Sequence, residues 1–326
     1  MALKVHFYRL DFLDYSNEFK SLMEPDISIT NGSSIPSDAE YEVLIHPTPS
    51  KEWLEASPNL KAVVVPWAGV PKKTRDVFSD YPNISLHNLH HNNYNTAELG
   101  FALLLAAAKY IIPLDQTLRE NDWRPRYNQQ KAIMLRGRTA LILGFGEIGQ
   151  ALADYCSGMG MKVIATKKHP ESYSGNLNVE IYSNDQLHDL LPKADVLIIA
   201  LPLTEETENL IGETEINLLP EDCILINIGR GPIVNQHALY NALKSGHLHS
   251  AGSDVWYNYP GSKEARKNTP PADLPFGELE NFVLSPHRGG MVKEVESQRA
   301  KALANLLNLA SKGEPIPNKV DIEAGY

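Results

Sequence analysis

Cysteine and long apolar runs are both scarce in this chain of 326 residues. The two cysteines, Cys156 and Cys223, lie in apolar stretches, which predicts buried free thiols in a reducing compartment rather than a disulfide framework. No apolar run approaches the ~20 residues that a membrane span needs, and the strand-like N-terminus lacks the apolar core of a signal peptide. We therefore expect a cytoplasmic protein without a membrane partner.

The chain also lacks an excess of positive charge. It has 30 Lys+Arg against 40 Asp+Glu, a net charge of −10, which argues against a nucleic-acid or anionic-membrane surface. A metal site is not indicated either, because the adjacent His90 and His91 have no suitably spaced third ligand nearby, and we expect them to be solvated. The length and the 43% hydrophobic content suit two globular domains.

A glycine-rich turn carries the strongest functional signal. The apolar run Thr139–Leu143 leads into it, and a helix pattern and a second apolar run, Lys162–Thr166, follow. In this order the glycines allow a tight turn, close approach of the backbone to a pyrophosphate and close helix packing. We therefore predict a dinucleotide-binding turn formed by Gly144, Phe145, Gly146, Glu147, Ile148 and Gly149.

The end of the second run lacks the carboxylate that NAD sites usually use to bind the adenosine ribose. Thr166, Lys167 and Lys168 stand there instead. The lysines would pair with a 2′-phosphate, and the threonine could hydrogen-bond it, so we predict NADP(H) over NAD(H). If the two lysines are only solvated charges at a strand end, NAD(H) remains possible.

The order of apolar runs predicts α/β architecture. Residues 1–90 carry three short strand-like runs, at 5–8, 43–46 and 62–66, whereas six runs after residue 138 fit a doubly wound parallel sheet. Between them, residues 97–110 form a helix pattern that is apolar nearly all round, with Thr96 as a candidate N-cap. We expect this helix to be buried between domains or between subunits.

Two polar residues follow strands at the edge where parallel sheets bind ligands. Arg230 lies between glycines, where its planar fork could clamp a carboxylate and polarise a carbonyl. His287 is flanked by Pro286 and by two later glycines. Each has an ordinary alternative, a surface charge for the arginine and a structural role for the histidine. Their joint occurrence in a dinucleotide domain favours catalysis.

The motifs together resemble the D-isomer-specific 2-hydroxyacid dehydrogenases, which include glyoxylate and hydroxypyruvate reductases. The resemblance rests on residues 144–149, 200–207, 226–231, 254–255 and 285–287. It implies a Rossmann-type doubly wound sheet, residues 97–290, inserted into a smaller flavodoxin-like α/β substrate domain, residues 1–96 and 291–326. It also implies catalysis between the domains and pairing of subunits through the helix at 97–110, hence a homodimer.

The resemblance assigns roles to individual residues. Arg230 should bind the carboxylate and carbonyl of a 2-keto acid, and His287 should be the general acid in reduction. Asp254 should accept the nicotinamide carboxamide. Asn92 matches a substrate-facing position in some members, although an N-cap or loop amide is an equal alternative. The substrate loop corresponds to Trp67, Ala68, Gly69 and Val70, and further cofactor positions to Leu201, Pro202, Thr207, Ile228, Gly229 and Gly289.

One departure from the family pattern concerns the partner of the catalytic histidine. Members usually carry a glutamate five residues after the aspartate, where this chain has Tyr259. Either Tyr259 or Glu264, from the long loop at 257–277, could take the role. A phenol cannot stabilise the imidazolium as a carboxylate does, so with Tyr259 as partner we expect reduction to fall off at lower pH.

The sequence therefore predicts an NADP(H)-dependent oxidoreductase that interconverts a small 2-keto acid and its D-2-hydroxy acid. Two alternatives stay open. The motif Asp254-Val-Trp-Tyr257 and the position of Asn92 resemble formate dehydrogenases. The unusual loop and the missing glutamate would instead suit a dinucleotide-sensing protein like the carboxy-terminal binding protein co-repressors.

Overall fold

The computed structural model describes residues 2–9, 16–127, 131–175 and 177–323. The chain forms two compact units, each with its own parallel sheet. We call Met1–Asn92 with Met291–Tyr326 the terminal unit and Asn93–Gly290 the central unit. The central unit therefore starts at Asn93, where the sequence predicted residue 97.

The terminal unit is built on a five-stranded sheet in which every pair is parallel and the order is 2-1-3-4-5, as in flavodoxin-like folds. The second and fifth strands were not predicted, because the second is a half-exposed edge strand and the fifth has only three residues. The elements are β1 Leu3–Phe7, α1 Ser16–Ser21, β2 Ile27–Asn31, β3 Val43–Ile45, α2 Lys51–Glu55, β4 Ala62–Val64, α3 Lys72–Phe78 and β5 Ser85–His87.

The central unit has a seven-stranded parallel sheet that confirms the Rossmann-type prediction. Its elements are α4 Asn93–Lys109, α5 Ile111–Arg119, β6 Thr139–Leu143, α6 Glu147–Gly158, β7 Lys162–Thr166, β8 Glu180–Tyr182, α7 Leu187–Leu190, β9 Val196–Ile199, α8 Glu213–Leu218, β10 Cys223–Asn227, α9 Gln236–Ser245, β11 Leu248–Ser253 and β12 Phe282–Leu284. The strand order is β8-β7-β6-β9-β10-β11-β12. The sequence predicted six of these strands and missed β8, whose three residues lie at the edge and are not buried.

The last helix, α10 at Val295–Ser311, returns to the terminal unit and packs its apolar side against α1 and β2. The sequence signals for both ends of α9 are confirmed. Asn235 caps α9 by accepting from the N–H groups of His237 and Ala238, as predicted, and Gly246 ends that helix with φ +82°. Both cysteines are buried free thiols, and burial raises the pKa of each to about 12.

The helix predicted at 97–110 begins earlier than expected. It starts at Asn93, whose side chain accepts from the N–H group of Tyr94, so Thr96 lies inside the helix and the N-cap prediction is wrong. The buried residues of α4 pack against β10, β11 and α6 of the same unit. The apolar character of α4 is thus explained within one unit, without a second subunit.

Within the described ranges, no single helix is long and apolar enough to cross a bilayer. The pair α4 and α5 meets the length and composition criterion only jointly, and the two helices are bent by 66° at their junction.

Candidate active site

The glycine turn joins β6 to α6 at the carboxyl edge of the central sheet. Gly144 has φ +95°, a backbone conformation that residues with a side chain rarely adopt. A Cβ on Gly149 would lie 2.0 Å from the carbonyl oxygen of Gly144. A Cβ on Gly146, which caps α6, would meet nothing within 4 Å. The turn is therefore closed by backbone on its inner side and open at Gly146, beside a helix N-terminus, which fits a pyrophosphate.

The neighbouring loops approach this turn closely. A Cβ on Gly229 would lie 2.5 Å from the carbonyl oxygen of Leu201, and a Cβ on Gly144 would lie 2.9 Å from that of Ala200. Ile228, directly before Gly229, is buried. The loops after β6, β9 and β10 therefore pack backbone against backbone.

Thr207 organises the loop after β9. Its hydroxyl donates to the carbonyl oxygen of Pro202 at 2.7 Å and accepts from the N–H group of Thr204 at 2.8 Å. The hydroxyl thus closes the turn that carries Leu201 and Pro202. This internal role was not predicted, and the predicted contacts of these residues with a cofactor stay predictions.

Thr166 ends β7 and holds the glycine turn from the other side. Its carbonyl oxygen accepts from the N–H groups of Gly144 at 3.2 Å and Phe145 at 3.0 Å. Phe145 and the threonine are both buried. The end of the second strand and the glycine turn therefore form one rigid corner.

The two lysines follow directly after this corner. Lys167 donates its N–H group to the carbonyl oxygen of Tyr182 on β8 and keeps a partly exposed side chain. Lys168 is exposed, and its Nζ lies 3.5 Å from a carboxylate oxygen of Glu206. Because an exposed ion pair at this distance contributes little stability, Lys168 can turn towards a phosphate at low cost.

Arg230 occupies the loop after β10. The Asn227 side chain fixes this loop at two points: it donates to the carbonyl oxygen of Arg230 and accepts from the N–H group of Gly229, both at 3.0 Å. The guanidinium donates to the carbonyl oxygen of Gly229 at 2.7 Å. A Cβ on Gly231 would lie 2.4 Å from the backbone of Trp256, so this loop packs directly on the loop after β11.

His287 occupies the loop after β12 and adopts φ +58°, which is strained for a residue with a side chain. The buried carboxylate of Asp254 holds this loop by accepting from the hydroxyl of Ser285 at 2.5 Å and from the N–H groups of Arg288 at 2.7 Å and Gly289 at 2.8 Å. Sequence reasoning missed this anchoring role for Asp254. The available signal was its place at the end of β11, the strand beside β12.

The partner of the imidazole is the tyrosine. Tyr259 Oη lies 2.8 Å from Nδ1 of His287, and the N–H group of Trp256 donates to the same Oη at 3.1 Å. Glu264 is exposed and begins a short 3-10 turn, where the Ser262 hydroxyl hydrogen-bonds its carboxylate. Nδ1 has room for one hydrogen bond, so the alternative with Glu264 as its partner is wrong. A hydrated surface carboxylate gains little by leaving solvent for this ring.

Burial and nearby charges shift the pKa values of His287 and Tyr259. Burial lowers the pKa of His287, the positive charge of Arg230 lowers it further, and the charge of Asp254 opposes both. Burial raises the pKa of Tyr259, against the N–H group of Trp256 and the charge of Arg230. The lowered pKa keeps the imidazole mainly neutral near neutral pH.

The predicted substrate loop follows β4 in the terminal unit. Trp67 is 39% exposed, and Asn88 donates its side-chain N–H to the carbonyl oxygen of Ala68 at 2.7 Å. Among the residues that the structure describes, no hydrogen bond takes up the N–H groups of Ala68, Gly69 or Val70. The predicted binding of a substrate carboxylate by these three N–H groups stays a prediction.

The residues before α4 differ from expectation in one respect. Both ring nitrogens of His91 are buried without a hydrogen-bond partner, and burial with the charge of Arg299 lowers its pKa to about 4. The expectation that His91 is solvated is therefore wrong. Asn92 directly precedes α4, and its predicted substrate role stays a prediction. Over the described parts of the chain, no three His, Cys, Asp or Glu side chains cluster to hold a metal ion.

Comparison with known proteins agrees with this geometry. The family model for the D-isomer specific 2-hydroxyacid dehydrogenase, NAD binding domain, matches residues 101–289. The chain is 36% identical over 231 residues to a glyoxylate reductase of Korarchaeum cryptofilum, and 36% identical over 233 residues to one of Thermococcus litoralis. These matches cover 70% and 69% of this chain and 66%, just under two thirds, of each reductase.

A solved structure shares the whole fold. The D-isomer specific 2-hydroxyacid dehydrogenase of Xanthobacter autotrophicus, crystallised with NADPH and MES, superposes with a TM-score of 0.79 at 22% identity, over 100% of both chains. The family model alone spans more than half of this chain and includes Arg230 and His287. This chain belongs to the D-isomer specific 2-hydroxyacid dehydrogenase family.

Proposed function

We propose that this protein is an NADP(H)-dependent reductase that converts a small 2-keto acid, such as glyoxylate or hydroxypyruvate, into the corresponding D-2-hydroxy acid. One observation carries the proposal. Arg230 and His287 follow two strands of the same parallel sheet, and the charge of the guanidinium lowers the pKa of the imidazole. A guanidinium whose charge acts on a titratable imidazole suits an anionic substrate that must gain a proton. The glyoxylate reductase relatives support this substrate class.

The glycine turn and the lysines after β7 would hold the cofactor. The open position at Gly146 and the N-terminus of α6 suit the pyrophosphate, and Lys167 and Lys168 suit a 2′-phosphate. A nicotinamide dinucleotide bound here supplies hydride chemistry. The NADPH in the Xanthobacter relative supports the phosphorylated form. In the same proposal, Leu201, Pro202, Thr207, Ile228, Gly229 and Gly289 line the cofactor.

The roles of the side chains follow from their chemistry. Arg230 offers parallel N–H donors to the carboxylate and the keto oxygen, which orients the substrate and polarises its carbonyl. His287 Nε2 protonates the keto oxygen as it gains negative charge. Asp254 keeps the histidine loop in its strained conformation. The carboxylate-binding role predicted for Ala68, Gly69 and Val70 stays a prediction.

A substrate and cofactor panel tests the proposal. Steady-state rates are measured for glyoxylate and hydroxypyruvate with NADPH and with NADH, and for formate with NADP+ and with NAD+. We expect 2-keto acid reduction with NADPH to have the highest kcat/KM. Formate oxidation as the only reaction would favour the formate-dehydrogenase alternative. Tight dinucleotide binding without turnover of any of these compounds would favour a sensing protein.

We also propose that the protein forms a homodimer, and that the contact runs through α5 rather than α4. None of the α5 residues is buried, and its exposed apolar side chains are Ile111, Ile112, Leu114 and Leu118. A cluster of this kind usually marks a protein interface. Light scattering after size-exclusion chromatography should give twice the chain mass. Leu114→Lys should give monomer, whereas the control Gln116→Lys, at an exposed polar position of α5, should not.

A further inference from the structure

The Tyr259 hydroxyl lies between a backbone donor and a ring nitrogen. A backbone N–H group can only donate, so Tyr259 Oη accepts from the N–H group of Trp256 at 3.1 Å. The phenol still has its own O–H to donate, and Nδ1 of His287 lies 2.8 Å away. When the phenol donates to the neutral ring, Nδ1 accepts this proton and Nε2 carries the ring N–H.

A glutamate in this position would give the opposite result. A carboxylate only accepts hydrogen bonds, so it requires a proton on Nδ1 and favours the doubly protonated imidazolium. The phenol of Tyr259 can donate to Nδ1 and stabilises the neutral ring with its proton on Nε2. Among the residues that the structure describes, three titratable or charged groups act on His287. Tyr259 acts through its hydrogen bond, and Arg230 and Asp254, in the loops after β10 and β11, act through their charges. Of these, only the carboxylate of Asp254 favours the imidazolium.

A neutral imidazole is a weak acid by itself, because the loss of the Nε2 proton would leave an imidazolate. We propose that Tyr259 and His287 act as one proton-donating pair in the reduction proposed above, with the phenol replacing the proton that leaves Nε2. Tyr259 contacts the histidine rather than the substrate, so it is a positioning residue that also carries a proton. This inference rests on the proposed 2-keto acid reductase function.

The step balances as follows. While the keto carbon accepts the hydride, the keto oxygen takes the Nε2 proton, so that an O–H bond forms and an N–H bond breaks. Nδ1 takes the phenol proton at the same time, and the ring stays neutral with its proton now on Nδ1. The phenolate that remains takes a proton from water, and oxidation of the hydroxy acid uses the reverse transfers.

The surroundings of Tyr259 allow its brief ionisation. The N–H group of Trp256 and the positive charge of Arg230 both stabilise a phenolate, whereas burial and Asp254 oppose it. The residue is 49% exposed, so water can return the proton. The hydrogen bond from Trp256 thus orients the hydroxyl, and its exposure lets water reprotonate the phenolate.

The pair and a lone histidine acid predict opposite pH profiles. A lone acid needs the imidazolium, so reduction is lost as pH rises through the lowered pKa of His287. This is the early fall-off expected from sequence for a phenol partner. The pair donates from its neutral form, so reduction persists above that pKa until the phenol itself ionises, at a pKa that burial raises.

Kinetics test the relay in the wild type, Tyr259→Phe and Tyr259→Glu. Rates of glyoxylate reduction with saturating NADPH are measured from about pH 6 to about pH 9, a span that covers an ordinary histidine pKa. We expect a flat wild-type profile, and a fall of about tenfold per pH unit above the histidine pKa in Tyr259→Phe. Tyr259→Glu should restore the rate near neutral pH and move the fall to higher pH. The rate in mixtures of H2O and D2O should show two protons in flight in the wild type and one in Tyr259→Phe.

A second measurement needs no turnover. In protein labelled with 15N on histidine, the ring signals of His287, assigned by their loss in His287→Gln, report which nitrogen carries the proton. We expect an unprotonated Nδ1 and a protonated Nε2 in the wild type. A protonated Nδ1, or a wild-type rate that falls like that of Tyr259→Phe with one proton in flight, would overturn the relay. If the tautomer is as expected and no 2-keto acid is reduced, the proposed function fails instead.

Discussion

The glycine turn after β6 and the histidine loop after β12 lie on the same edge of one sheet, but different parts of the residues hold them in shape. The turn is shaped by backbone atoms within six residues, where a side chain on Gly149 would lie 2.0 Å from a carbonyl oxygen. The histidine loop is held by side chains distant in sequence, Asp254 and Tyr259. The first should therefore fail through steric conflict, and the second through loss of single functional groups in an intact fold.

The largest effect on activity should come from the loss of a functional side chain, that of Arg230. Arg230→Gln removes the charged fork, and at about 1.5–3 kcal/mol for each of two charged hydrogen bonds, kcat/KM should fall by roughly 10² to 10⁴. The fold should persist, because the Asn227 bonds go to the backbone of this loop. Arg230→Lys, which keeps the charge and loses the fork, is the control. Full activity in Arg230→Gln would contradict its substrate role.

The glycine turn offers a matched pair of substitutions. Gly149→Ala places a Cβ against backbone and should cost about 1–3 kcal/mol of unfolding free energy or more. Gly146→Ala meets open space, so the fold should stay while NADPH binding weakens by at least about tenfold, or 1.4 kcal/mol. Denaturant unfolding and fluorescence titration measure these effects. Gly158→Ala, also in open space at the end of α6, is the control. Equal stability of all three variants would refute the steric account.

Asp254 connects the backbone and the side-chain chemistry of the histidine loop. In Asp254→Asn an NH2 group replaces one acceptor, and one loop donor loses its partner at a cost of about 1–3 kcal/mol. The pKa of His287 should also fall further, because the aspartate charge raises it. Titration of the ring by NMR and thermal unfolding together test both effects. A raised histidine pKa in the variant would contradict this electrostatic account.

The smallest effect concerns the lysines after β7. Each of Lys167→Glu and Lys168→Glu should lower kcat/KM for NADPH by about tenfold, near 1.4 kcal/mol, with little change for NADH. Lys162→Glu, an exposed lysine at the opposite end of the same strand, is the matched control. If NADPH and NADH respond equally to all three changes, the lysines are only solvated charges.

The same contrast explains what the sequence could predict. The strand, turn and helix around residues 144–149 were predicted correctly because glycine spacing is a local property. The partner of His287 was left between Tyr259 and Glu264, because loop residues 23–28 positions before it can meet it only through the packing of neighbouring strands. The anchoring of Gly289 by Asp254, 35 residues apart, was missed for the same reason.

The sequence also failed to predict the short edge strands. The strands β2, β5 and β8 lie at or near sheet edges, have three to five residues and show little apolar periodicity. Burial of His91 was also missed, since nothing in two adjacent histidines distinguishes a desolvated ring from a solvated one.

The most direct test of the account compares His287→Ala with the wild type in two assays, NADPH-driven reduction of glyoxylate and NADPH binding by fluorescence titration. Because the histidine supplies the proton and lies outside the glycine turn, turnover should fall by about 10² to 10⁴ while NADPH affinity stays within about twofold. Unchanged turnover in the variant, or loss of turnover and binding together, would contradict the role of His287 as the acid of a 2-keto acid reductase.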